Sequence, residues 1–259
     1  AKAIEIAKSQ PSLYELVNTD SQQLYKGLYI GNNKGELVDH ESYFLHPTFG
    51  KVFAKAYKEA PELPLWLVDV INPDKNFSVA DFQQLARPLL EDILSRGKVP
   101  IIVGGSGLYT LALISDYQFS NQQIVNPYKG LDIHQLKSKA KEMGIRLDSL
   151  NESDINNPRR LQNLIFKVSL GEKPQTIEPK ILFDCNIHFI EIAIKSLEAS
   201  LRVRAQHMLA SGIVDEVKKI IKQFGLANIS SNIRNAAGYK QVFEYIGESK
   251  IERDTSESI

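Results

Sequence analysis

The sequence predicts an α/β fold with a mainly parallel sheet, interrupted by a helical insert. Three observations carry this. Apolar strand-like runs (LYELVNTD, LPLWLVDVINP, VPIIVGG) alternate with helix-like segments. The run VPIIVGG ends in glycines and passes at once into a helical pattern, SGLYTLALI. From Ser115 to about Pro179 continuous apolar runs vanish, and helical patterns joined by polar turns replace them. The expected organisation is a discontinuous α/β core over 1–114 and 180–259, with a helical insert over 115–179.

Taken in order, AKAIEIAKSQ places Ala3, Ile4 and Ala7 at helical spacing with no cap before them. It lacks the uninterrupted apolar core of a signal peptide. The chain is therefore expected to start inside an element, and ERDTSESI stops without an ending signal. LYELVNTD reads as a strand running into a polar loop. Lys34 to Pro64 reads as irregular, an insertion or long connection. LPLWLVDVINP reads as a strand ended by Asn72-Pro73. SVADFQQLARPLLEDILSRGK reads as a helix with Ser78 as N-cap and Asp81 as its capping-box partner. Val79, Phe82, Leu85, Ala86, Leu89, Leu90 and Ile93 form its buried face, and Gly97 ends it. In the insert, LDIHQLKSKAKEMG and NPRRLQNLIFKVSLG read as helices closed by Gly144 and Gly171. KILFDCNIHFIEIAI brings strand-like residues back, so the sheet is expected to resume there. Helices with apolar spacing and glycine stops follow.

Composition narrows the function classes. With 31 basic and 31 acidic residues the net charge is zero, so no global basic signature of a nucleic-acid binder is present. A local basic face remains compatible with that balance. The single cysteine, Cys185, rules out an intrachain disulfide framework and a clustered-cysteine zinc site. The simplest compartment is the cytoplasm. No long charge-free apolar run suggests a membrane span. The histidines show no metal-ligand spacing.

Four constellations could carry chemistry. Gly104-Gly105-Ser106-Gly107 joins a strand to a helix, where glycines admit a ligand close to the backbone and free amides face an anion. The same pattern suits a plain tight turn with Ser106 as N-cap. Asp20 follows a strand and fits a general base, a metal-shell carboxylate or a cap. Beside it, Ser21, Gln22 and Gln23 offer donors and acceptors suited to a base edge, and are also ordinary surface residues. Arg159 and Arg160 open a helix, where they oppose its dipole. That suits a phosphate contact or a solvated surface helix. Arg204 sits on an amphipathic helix before Met208-Leu209 and Gly212, within reach of an anionic site or simply exposed.

The order of these segments is more specific than any one of them. DSQQLYKGLYIG, LVDVINPDKNFSVADFQ, ILSRGKVPIIVGGSGLY, NPRRLQN with GEKP, MLASGIVDEV and AAGYKQVFEYI together resemble the tRNA dimethylallyltransferase family. The resemblance lapses over Lys34–Pro64 and from Asp116 to about Asp132. It implies a P-loop NTPase-like α/β core with a helical insert, acting as a cytoplasmic monomer. It implies transfer of a dimethylallyl group from dimethylallyl diphosphate to the exocyclic amine of the adenosine 3′ of the tRNA anticodon, assisted by Mg²⁺. By resemblance Asp20 is the catalytic base that takes the amine proton, where placement decides because proton loss can follow C–N bond formation. The adenine would have to leave its stack to reach it. Ser21, Gln22 and Gln23 match its RNA-contacting neighbours. Ser106 stands where threonine is usual and keeps the hydroxyl for a diphosphate oxygen, with Gly104 and Gly105 beside it. By the same resemblance Arg204 would clamp that diphosphate. Arg159, Arg160, Leu161 and Gln162 match a tRNA-contacting patch. Asn163 replaces a usual arginine, and Leu65-Trp66 replaces a usual His-His pair.

The family's GxxxxGK[ST] loop would fall just before Ala1 and is not in these residues, nor is its Mg²⁺ ligand. The 259 residues alone are therefore expected to show little transferase activity. Transfer to free AMP or ADP, and RNA binding without catalysis, are the competing readings. Arg159 and Arg160 on the insert favour RNA over a mononucleotide.

Overall fold

Short apolar runs bounded by Asn, Gly and Pro become strands, and amphipathic runs become helices. The computed structural model describes residues 2–119, 126–171, 179–190 and 193–256. The chain opens with α1 (Lys2–Lys8) and β1 (Tyr14–Asn18), then β2 (Leu37–His46), β3 (Gly50–Tyr57) and β4 (Ala60–Trp66). α2 (Val79–Ser95), β5 (Val99–Val103) and α3 (Gly107–Ile114) follow. Next come α4 (Ile133–Glu142), α5 (Glu152–Asn156) and α6 (Pro158–Ser169). The order ends with α7 (Ile194–Ala210), α8 (Ile213–Phe224), α9 (Ser231–Arg234) and α10 (Tyr239–Ser256). Two units result, residues 1–117 with 181–259, and residues 118–180.

The larger unit holds one five-stranded sheet in the order β2-β3-β4-β1-β5. β1 pairs parallel with β4 and β5, while β2, β3 and β4 pair antiparallel. The α/β class holds, with parallel pairing confined to β4-β1-β5. Adjacent residues of β1 face opposite sides, as strand geometry requires. Val17 joins α2 residues Phe82, Leu85, Leu89 and Ile93 in the main core. Leu16 joins Ile4 and Ala7 of α1 in a smaller core with Leu63 and Leu65. α2 begins at the expected capping box, with Asp81 N donating to Ser78 Oγ and Ser78 N donating to Asp81 Oδ2.

Leu65 and Trp66, in place of the histidine pair, are core residues. The Trp66 Nε1–H donates to Glu15 Oε2 at 2.8 Å. Arg96 clamps the same buried carboxylate at 2.5 and 3.0 Å. Burial alone would raise the Glu15 pKa, but the Arg96 and Trp66 hydrogen bonds outweigh it and hold the carboxyl below its ordinary value.

Three expectations need correction. Lys34–Pro64 is not irregular: it contains the β2–β3 hairpin and the start of β4. Val52, Ala54 and Ala56 alternate with Phe53, Lys55 and Tyr57, and aromatics on both faces hide the alternation in sequence. The strand read as running to Asn72-Pro73 ends at Trp66, because Leu67 takes a left-handed φ of 63°. The sheet does not resume over the described residues of 180–194; a single bridge, Ser115 to Ile181, is all that forms there. Strand-like composition needs a partner edge, and this segment instead exposes Ile187, Phe189 and Ile190.

The smaller unit packs α4 and α6 around Leu136, Ala140, Ile145, Leu161 and Ile165. Asp132 caps α4 with a capping box to Gln135. Residues 172–174 of the quoted GEKP segment lie outside the described residues.

Candidate active site

β1 and β5 run parallel and end side by side, so the turns that follow them meet. Thr19 N donates to Val103 O at 2.8 Å, continuing the ladder past β1. A Cβ on Gly104 would stand 2.4 Å from Thr19 Oγ1 and 2.7 Å from Asp20 N. Only glycine admits that approach. Gly105 is different, since a Cβ there would meet nothing within 4 Å. Gly104 thus lets the two turns approach and Ser106 reach Ser21. Ser106 Oγ accepts from Ser21 N at 3.1 Å and lies 3.2 Å from Ser21 Oγ. Ser106 occupies the N-cap position of α3 but makes no side-chain cap. Its hydroxyl is turned toward the β1 turn instead.

Of the roles its sequence context allowed, Asp20 takes the cap with one oxygen and leaves the other open. Oδ1 accepts from Gln22 N at 2.8 Å and from Gln23 N at 3.4 Å, which caps the turn. Oδ2 makes no hydrogen bond among the described residues. Asn18 braces the backbone from the other side. Its Oδ1 accepts from Asp20 N at 3.0 Å and its Nδ2 donates to Leu67 O at 2.8 Å. A half-buried carboxylate with one oxygen fixed and the other open is set up to accept a proton from a ligand.

Gln22 and Gln23 are less available to a ligand than their sequence position suggests. Gln23 Nε2 donates to Asn32 O at 3.1 Å, and Asn32 Nδ2 donates to Gln22 O at 2.8 Å. Gln22 Nε2 lies 3.5 Å from Asn232 O, while its Oε1 is buried without a partner. Both glutamines tie the Asp20 turn to the loop over 28–34.

That loop is itself held from a distance. Glu216 Oε2 accepts from Tyr29 N at 2.7 Å and Ile30 N at 2.9 Å. The Tyr239 hydroxyl donates to Glu216 Oε1 at 2.6 Å and accepts from Gly31 N at 3.1 Å. Burial, reinforced by the Glu216 carboxylate, drives the Tyr239 pKa far above the ordinary phenol value. Buried Lys34 pairs with Asp69 and donates to Tyr25 O. Burial lowers its pKa, and the carboxylates of Asp69, Glu216 and Asp20 oppose that shift without reversing it. Arg204 Nη2 donates to Gly31 O at 3.0 Å. Arg204 therefore joins the loop network, and no hydrogen bond among the described residues links it to Ser106. Sequence reasoning quoted the segments holding Asn18, Lys34, Glu216 and Tyr239 without singling these residues out, and did not single out Asn32. A charged residue in an otherwise apolar helix face was the one signal available for Glu216.

In the smaller unit, Asn157 caps α6 by accepting from Arg159 N and Arg160 N at 3.1 and 3.2 Å. Arg160 pairs with Asp154 at 2.9 Å, and Arg159 is exposed with no ion pair among the described residues. Asn163 is exposed and Gln162 half-buried. Leu161 is 0 % exposed, so its place in the RNA patch is corrected: it is a core residue and offers RNA no side-chain surface. The described residues hold no group of three or more His, Cys, Asp or Glu able to bind a metal. Asp20 Oδ2 and the two hydroxyls are oxygen donors, but they do not amount to a resident Mg²⁺ site. No described helix is long and apolar enough to cross a membrane.

Comparison with known proteins gives this geometry a family. The IPP transferase model matches residues 53–259. The chain belongs to the IPP transferase family. A tRNA dimethylallyltransferase of Anoxybacillus flavithermus is 34% identical over 239 residues, covering 89% of this chain and 69% of that protein. One from an Exiguobacterium species is 30% identical over 263 residues, covering 97% and 75%. The crystal structure of a tRNA isopentenylpyrophosphate transferase from Staphylococcus epidermidis matches with TM-score 0.57 and 26% identity, over 95% of this chain and 76% of that one. A eukaryotic dimethylallyltransferase acting on tRNA has the same fold, with TM-score 0.66 at 21% identity over 97% and 61%.

Proposed function

We propose that this IPP transferase chain prenylates tRNA, moving a dimethylallyl group from dimethylallyl diphosphate to the exocyclic amine of the adenosine 3′ of the anticodon. The observation that carries the reading is the divided carboxylate of Asp20: Oδ1 fixed by two amides, Oδ2 open, beside the Ser21 and Ser106 hydroxyls. The amine nitrogen attacks the allylic carbon and forms the C–N bond. The C–O bond to diphosphate breaks and the electron pair leaves with the diphosphate. The amine proton passes to Asp20 Oδ2. Ser106 Oγ–H donates to a diphosphate oxygen as charge builds there, with Gly104 and Gly105 at its side. Arg204, whose Nη2 donates to Gly31 O, would supply the guanidinium that clamps the diphosphate. Bound with the diphosphate, Mg²⁺ would neutralise charge building on the leaving group. Arg159 and Arg160, with Gln162 and Asn163, contribute the RNA surface of the smaller unit.

The test is product analysis. The full product of the gene is incubated with labelled dimethylallyl diphosphate and equal amounts of anticodon stem-loop RNA and AMP. Label on the stem-loop adenosine supports the reading. Label on AMP makes the free nucleotide the acceptor, and RNA binding without label makes the protein a non-catalytic homologue.

A further inference from the structure

We propose that the outer face of the β2–β3 hairpin is a stacking platform for single-stranded RNA next to the acceptor adenosine. This rests on the tRNA reading above and adds a surface that reading does not use. Most of the hairpin precedes the family match, which begins at residue 53. From Ser42 to Lys58 the chain carries three lysines and five Phe or Tyr residues, and no Asp or Glu, although the whole chain is neutral. Strand alternation sorts them. Val52 and Ala54 enter the main core, while Tyr43, Leu45, Lys51, Phe53 and Lys55 face outward.

Tyr43 and Phe53 are cross-strand partners, 53% and 55% exposed. Their ring centroids are 6.1 Å apart at 51°. The Lys51 ammonium sits 4.5 Å from the Tyr43 ring centroid and makes no ion pair among the described residues. Lys55 at the root is neutralised by Asp39, so the free cation lies at the tip. Leu45 beside it is 68% exposed. Half-exposed aromatic rings with a neighbouring cation are what unpaired bases stack on.

Position favours RNA over other partners. β3 runs antiparallel to β4, and Lys55 pairs with Leu65 near the β4 C-terminus. Residues 50–53 and the turn at 47–49 therefore run past the end of β4, on the edge of the sheet where β1 and β5 deliver Asp20 and Ser106. β3 lies two strand spacings from β1, about 10 Å. A strand of RNA whose adenosine is inserted at Asp20 passes this tip with its neighbouring bases unstacked.

The experiment measures affinity of the full gene product for fluorescent anticodon stem-loop RNA across a salt series. Tyr43→Ala/Phe53→Ala is expected to bind roughly tenfold more weakly. Tyr43→Leu/Phe53→Leu keeps the apolar area without the π-faces and is expected to lose nearly as much. Lys51→Ala is expected to reduce the salt slope by about 0.7. Both pairs replace outward side chains, and an unchanged melting temperature verifies the fold. Parent binding with an unchanged alanine pair overturns the platform and leaves the tRNA reading standing. Full binding by the leucine pair overturns stacking in favour of an apolar dock, and a concentration-dependent dimer abolished by the alanine pair assigns the face to a second copy. A parent protein that binds no stem-loop overturns both.

Discussion

The Asp20 turn and the Arg159 helix are both proposed to meet RNA, and they are built in opposite ways. The Asp20 turn is braced by Asn18 at Asp20 N, by Ser106 at Ser21 N and by the 28–34 loop, and that loop by Glu216 and Tyr239 far along the chain, as in the 3.1 Å bond from Gly31 N to Tyr239 Oη with its separation of 208. Arg159 stands on a locally capped helix, its side chain exposed. Proton transfer tolerates little displacement, so its carboxylate is over-determined. Phosphate attraction needs only charge in the neighbourhood, so the arginine is left to solvent.

Breaking the bracing should cost most. Glu216→Ala leaves two loop amides and the Tyr239 hydroxyl without their acceptor and is expected to lower stability by about 3 kcal/mol in urea unfolding. Glu216→Gln keeps an acceptor and should recover part of it. Gly104→Ala forces the Thr19 and Asp20 backbone away and should cost about 2 kcal/mol, with RNA prenylation falling further than stability alone explains. Next is Glu15, braced but remote from the chemistry. Its carboxyl is held below the ordinary value, so its ion pair stabilises fully above about pH 4.3 and loses that contribution as pH falls through the folded-state value. Glu15→Gln should cost about 1.5 kcal/mol at pH 7 and converge on the parent below that range, read by melting temperature against pH. The solvated region should respond least in stability. Arg159→Ala is expected to change it by under about 0.5 kcal/mol while flattening the salt dependence of RNA binding. An unchanged slope would remove Arg159 from the interface.

The same contrast decides what could be read in advance. The α2 capping box, its buried face from Phe82 to Ile93, the strand-to-helix turn after β5 and the Asn157–Pro158 start of α6 are local features written in neighbouring residues, and they form where read; Val79 is only half-buried and Ser106 makes no cap. The hairpin was hidden because its outward face is aromatic, which breaks the polar–apolar alternation. The 180–194 segment misled because β-rich composition specifies no pairing partner. Gln22 and Gln23 resembled base-reading residues, but their partners, Asn32 and Asn232, are fixed only by tertiary folding. Glu216 and Tyr239 escaped for the same reason: what they satisfy is backbone amides far away in sequence.

The divided role of Asp20 is tested most directly by Asp20→Asn in single-turnover prenylation of stem-loop RNA. Asparagine retains an oxygen to cap the Gln22 and Gln23 amides and loses the base. The account predicts unchanged melting temperature and RNA affinity with transfer slowed about 100-fold or more. Transfer within a few-fold of the parent would contradict it.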